Sequence, residues 1–185
     1  LFLTFNLISC GGGGGGGGSV TPAQNLRVFV TSETGNGNLT TWVAYTASGS
    51  SATGLAAGDA ICQYLAGQAG LSGTFRAWLS DTNTDAYCHL HGLTGKKVNN
   101  CGQGSLPTPY GPWVRRDGFP FGETINVIIS IGQIYAPVLF DETGAAASDS
   151  AIFTDTYDTG ARATNYTGSC SDWTSAAGTD YVMVG

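Results

Sequence analysis

His89 and His91 flank Leu90 immediately after Cys88, and by residue type they are the side chains here best suited to chemistry. Two imidazoles on an extended loop could both ligate zinc, with Cys101 or an aspartate completing the set. A metal-dependent enzyme built on that loop is one reading; a pair of exposed loop histidines is the other. A Cys88 held in a disulfide would offer no thiolate. A Cys–His nucleophilic pair needs approach in space and an orienting third group, and adjacency of Cys88 and His89 in the chain supplies neither. Carboxylates such as Asp155 and Asp158 would have to face each other across a cleft for general acid–base work; building turns is the commoner use of aspartate. The chain has no Gly-x-Ser-x-Gly elbow and no Walker loop. Gly11 to Gly18 fits any glycine pattern trivially and is no sign of a phosphate cradle. The expectation is therefore a protein that is not an enzyme, with no catalytic residues, no metal and no cofactor.

Binding is the remaining kind of chemistry. Trp113, Tyr110, Tyr135 and Tyr157 could form an aromatic contact surface, since aromatics concentrate at interface hot spots, but they are also the ordinary core of a small β-rich domain. The 185 residues carry 13 acidic and 7 basic side chains, a net charge of −6. Such a chain repels phosphate backbones, which sets nucleic acid aside as a partner. Lys96-Lys97 and Arg115-Arg116 are the basic pairs, and two short pairs read as solvated loop charges. From Asp141 to Asp180 the chain is acidic, with Arg162 its one cation. That stretch reads as a solvated acidic face, or as one that meets a cationic or calcium-bridged partner.

The elements that would position these residues are short. Arg27 to Thr31 is β-branched and aromatic, which suits a strand. Trp42 to Tyr45 reads as a second short strand or an inserted loop. Leu55 to Ala69 predicts a helix, with Ile61 and Leu65 on one face and Gly70 ending it. Thr74 to Leu79 alternates as a strand, placing Phe75, Ala77 and Leu79 on one side. Asp81 to Pro112 is loop-like. Pro112 to Arg115 leads into a turn at Arg116–Gly118. Val127 to Ile131 is a buried strand or short helix, and Val138 to Phe140 precedes a turn at Asp141–Gly144. Ile152-Phe153 and Tyr181 to Val184 are later strand candidates. One main helix among short strands and long loops is an α+β domain.

The N-terminus reads as an address. Residues 1–9 form an apolar run too short to span a bilayer, and they resemble the end of a signal peptide whose charged start is missing. Leu7-Ile8-Ser9-Cys10 matches the lipobox of bacterial lipoproteins, in which cleavage before the cysteine is coupled to its lipidation. Two or more acyl chains would give stable attachment. The competing reading is a buried apolar strand followed by a thiol at Cys10. Residues 10–26 then form the lipidated cysteine and a glycine-rich tether, spanning roughly 20 Å as a random coil. Glycine after the lipidated cysteine resembles lipoproteins sent to the outer membrane.

The remainder, 27–185, resembles a known family. Ala57–Gln63 followed by Ala69–Ser80 is similar to the opening of endostatin, the C-terminal domain of collagens XV and XVIII. It is more similar still to bacterial endostatin-like proteins of the domain-of-unknown-function class 1554 (DUF1554), abundant among leptospiral lipoproteins. Phe29–Thr31 with Gly37–Leu39, Gly111–Gly118, Ala136–Val138 with Asp141–Gly144, and Ser169–Thr174 match the later blocks. The resemblance implies a C-type-lectin-like fold, with one or two helices around a twisted antiparallel sheet. It also implies a binding role of adhesin type toward an extracellular protein or carbohydrate. A structural envelope protein is a further alternative.

The chain departs from the family in two places. The family continues into a last strand carrying two cysteines, which makes this domain C-terminally incomplete by comparison and leaves Cys62 and Cys170 without their implied partners. Residues 42–52 and 88–101 look like insertions, and Cys88–Cys101 is the implied local disulfide, with a Cys62–Cys170 bridge as its competitor. The sugar-site tripeptides of calcium-dependent lectins do not occur; Ser171-Asp172-Trp173 is only superficially similar, and Trp173 is expected in the core. Endostatins bind zinc through a different segment, so no zinc ligand carries over to His89 or His91.

Overall fold

Two apolar, β-prone runs, Leu3–Leu7 and Leu26–Val30, form strands β1 and β2. The computed structural model describes residues 26–147, 152–164 and 169–177, together with the backbone of β1. Cys10 and the glycine tether, and the strand candidate at Tyr181–Val184, lie outside the described residues. Strands β3 (Thr74–Ala77), β4 (Trp113–Arg115) and β5 (Pro120–Gly122) complete one sheet in the order β3-β1-β2-β4-β5. β1 runs antiparallel to both β2 and β3, and β4 antiparallel to β5, but β2 and β4 are parallel. The expectation of a purely antiparallel sheet is corrected to a mixed one. β2 and β4 are far apart in sequence, so a crossover joins them in place of a tight hairpin.

The helix expected at 55–69 is α2, Leu55–Gln68. Leu55, Ala57, Gly58, Ile61, Cys62 and Ala66 line its buried face. Gly70 stops it: at φ +69 it adopts the left-handed conformation that lets Leu71 N–H reach back to the Ala66 carbonyl, 2.9 Å away. β3 alternates as expected, with Phe75 and Ala77 buried.

The structure differs from the expectation in three segments. Residues 39–48 are helical: a 3-10 turn at Leu39–Thr41 leads into α1, Val43–Ser48. The cause is non-local. Both oxygens of the Glu33 carboxylate accept the first free amides of α1, Val43 N–H at 2.5 Å and Ala44 N–H at 2.8 Å. The supposed loop 81–112 contains α3, Ala86–Leu90, and a turn at Lys97–Gly102. Ser80 Oγ accepts the Ala86 N–H from six residues upstream, at 2.9 Å, which starts α3. The strand candidate at 152–153 forms no strand; the nearby backbone makes an isolated bridge, Thr156 with Arg162, as do Val30 with Asp141 and Phe140 with Ala146 around the 141–144 turn. Val127–Ile131 takes the helical alternative within α4, Ile125–Ile131, capped by the Thr124 side chain.

The core has two parts. One packs α1 and α2 against Phe29, Phe75, Trp42 and Trp173. Trp173 is buried as expected, its indole N–H donating to the Ser80 carbonyl at 2.7 Å. The other gathers Tyr87, Cys88, Leu90, Cys101, Trp113, Ile125 and Ile129 around α3 and α4. Asp59 on α2 joins the two: its Oδ1 accepts the Ala77 amide and faces His89 Nε2, each at 2.8 Å.

Candidate functional site

Asp85 precedes α3 and is almost fully buried. A buried carboxylate must have its lone pairs filled, and here two distant segments fill them. Its Oδ2 accepts the Lys97 amide at 2.8 Å, and its Oδ1 accepts the Arg162 amide at 3.0 Å. Lys96 Nζ lies 3.3 Å from Oδ1. The carboxylate thus ties the 96–98 segment to the 159–164 loop. Between them opens a cavity of about 640 Å³, with Thr82 and Asp85 in its lining.

Each wall is fastened. A disulfide joins Cys88 of α3 to Cys101, thirteen residues on, and holds the Lys97–Gly102 turn against the helix. Lys97 Nζ donates to the Thr159 carbonyl at 2.9 Å and lies 5.6 Å from the centre of the Tyr87 ring. Tyr87 N–H donates to the Gly160 carbonyl, and Thr156 and Arg162 form a bridge that closes the second wall. Behind that wall Arg162 Nε donates to Asp155 Oδ2 at 3.0 Å and to Ser169 Oγ at 3.1 Å. Burial pulls the Lys97 ammonium below the usual lysine range, opposed by the charge of Asp85.

The histidines are not on an extended loop. His89 lies within α3 and is buried, and His91 caps its C-terminal end. His91 Nδ1 sits 2.8 Å from the Tyr87 carbonyl oxygen and Nε2 sits 3.2 Å from that of Thr108. Burial lowers the His91 pKa against the pull of those two carbonyls. With Cys88 and Cys101 in the disulfide and His89 on Asp59, the donors that a zinc site on this segment would use are committed elsewhere. Among the described residues no three His, Cys, Asp or Glu side chains converge on a point. Asp155, bound to Arg162 and Ser169, is likewise taken, so no Asp155–Asp158 acid–base pair is formed. The Cys62–Cys170 bridge is not made; both side chains are buried, and burial, with Asp59 nearby, pushes the Cys62 thiol well up.

Comparison with protein-family models, with curated proteins and with solved structures finds no match.

The aromatic residues divide. Trp113 is wholly buried, its indole N–H donating to the Tyr110 carbonyl at 2.9 Å, and cannot serve as a contact residue. Tyr110 is half-buried and stacked on His91, with ring centres 4.5 Å apart. Tyr157 is half-buried behind the second wall, where its hydroxyl accepts the Thr164 amide. Tyr135 is exposed, but its hydroxyl donates to Glu123, away from the cavity. Trp113→Ala should cost about 3–5 kcal/mol of stability, as large core truncations do, read as a lower urea midpoint. A variant that kept its midpoint and lost only ligand binding would put Trp113 back on a contact surface.

Sequence reading missed the cavity. Its signal was there only in part: Lys96-Lys97 was one of two basic pairs, and Arg162 the one cation in an acidic stretch.

Proposed function

We propose that this chain is a lipid-anchored surface protein whose single α+β domain is a binding module, not an enzyme, of C-type-lectin-like, endostatin-like (DUF1554) build. The observation that carries this reading is the cavity itself: a pocket of about 640 Å³ walled by a disulfide-held turn and an ion-paired loop. Its size falls in the range of small-ligand sites. Its rigid walls lower the entropy cost of binding. A disulfide suits an exported domain.

The anchor rests on Leu7-Ile8-Ser9-Cys10 and the eight glycines after it. In this reading Cys10 carries the lipid, the glycines keep the domain clear of a bacterial outer membrane, and the ligand is an extracellular protein or carbohydrate. No described helix is long and apolar enough to cross a membrane. No specific observation favours the metal-enzyme or structural-envelope alternatives over this one.

Mass spectrometry of the protein extracted from membranes checks the anchor. The expected N-terminus is Cys10 with the added mass of two or three acyl chains, and the protein partitions into detergent. Cys10→Ala should abolish both. Recovery of an unacylated Cys10 still joined to residues 1–9 would end the lipoprotein reading.

A further inference from the structure

We propose that the cavity between the 96–98 segment and the 159–164 loop binds a sugar acid, a hydroxylated ring bearing one carboxylate. This deepens the binding-module reading and rests on it.

Charge is the first argument. Three of the seven cations in a chain of net charge −6 line this one cavity: Lys96, Lys97 and Arg162. Asp85, the acid in the lining, is ion-paired with Lys96, and its oxygens also hold the amides of both walls, so Lys97 and the outer face of Arg162 are what remain for an anion. Asp155, buried, is ion-paired with Arg162 through Nε.

Open donors are the second argument. Among the described residues the Arg162 guanidinium bonds through Nε, leaving both Nη groups open. Those two groups form the planar fork that meets a carboxylate with paired hydrogen bonds. Lys97 Nζ uses one of its three protons on the Thr159 carbonyl, and Lys96 Nζ is shared between Asp81 and Asp85. One carboxylate seated on the guanidinium would therefore find an ammonium proton as well.

The rest of the lining fits the rest of a sugar. Threonine hydroxyls at Thr82, Thr159 and Thr164 can pair with ring hydroxyls, and Val98 and Ala161 offer apolar surface to a ring face. A bare anion would use none of these.

The test is calorimetric titration of the full chain with glucuronate, galacturonate and N-acetylneuraminate, beside glucose, acetate and inorganic phosphate. At least one sugar acid should bind saturably at one site, about tenfold or more tighter than glucose or acetate, the scale of one charge-assisted hydrogen bond, and less tightly at high salt. Lys97→Gln should weaken it about tenfold, its folding checked by circular dichroism because Lys97 Nζ also holds the Thr159 carbonyl. Lys96→Gln, farther from full engagement, should weaken it less and serves if the first variant misfolds. Equal binding of glucose, equal binding of phosphate, or full affinity in both lysine variants overturns the inference. If no sugar acid binds but glycan or protein arrays yield another ligand, the sugar-acid assignment falls and the binding module stands. If nothing binds saturably, both fall.

Discussion

Reducing the Cys88–Cys101 disulfide should lower the stability of the domain by roughly 3 kcal/mol, the loop-closure entropy for a ring of this size in the chain-entropy model. The residues stand thirteen apart, and both are buried in the second core cluster with Trp113 and Ile129. The loss acts chiefly on the unfolded chain, which becomes free to explore conformations the bond forbids. It acts on function too, because the bond fastens the turn that carries Lys97 and Val98. Urea titration with and without a reductant should show a lower midpoint and a somewhat steeper slope, since the unlinked denatured chain exposes more surface. The Cys88→Ser, Cys101→Ser double variant should fall further, since it buries two hydroxyls where sulfur packed. A midpoint indifferent to reductant would show that Asp85 and the core hold the wall without the bond.

The same residues explain how far the sequence could be read. Local patterns were legible: the apolar face of α2, its stop at Gly70, the alternation of β3 and the burial of Trp173 each follow from neighbours a few positions away. What failed was non-local. α1 forms because Glu33 reaches its first amides from ten residues upstream, and α3 starts on Ser80 Oγ. No propensity of Val43–Ser48 or Ala86–Leu90 signals either. The cavity is the extreme case. Lys97 and Arg162 lie 65 residues apart, and what unites them is a buried Asp85 that each segment contacts through its backbone amide. A backbone amide carries no sequence signature, so a basic pair and a lone arginine looked like solvated charges. Conversely, the conspicuous His89-Leu90-His91 triplet is committed to the fold, His89 on Asp59 and His91 on the Tyr87 and Thr108 carbonyls.

Deleting residues 1–9 should destabilise the domain by several kcal/mol, at roughly 1 kcal/mol for each ladder hydrogen bond lost. β1 lies inside the sheet, with Leu3, Thr4 and Phe5 in register with β2, and Thr4 to Leu7 in register with β3. Its removal leaves β2 and β3 about two strand spacings apart, roughly 9–10 Å, with unpaired backbone groups facing the gap above Phe29 and Phe75. Unpaired edges of that kind are costly and prone to capture other strands. Cleavage before Cys10 and a sheet containing Leu3–Leu7 exclude each other within one molecule, so the deletion measures what maturation costs the fold. The comparison is urea unfolding of chains 1–185 and 10–185, both carrying Cys10→Ser. A synthetic peptide of residues 1–9 added to the shorter chain should recover part of the difference, since it can re-enter the gap antiparallel to both neighbours. Identical midpoints would show that β1 adds nothing to the sheet and that the leader can be shed without cost. A large gap closed by the peptide would show that cleavage before Cys10 leaves the anchored domain with a vacant strand position for another extended segment to fill.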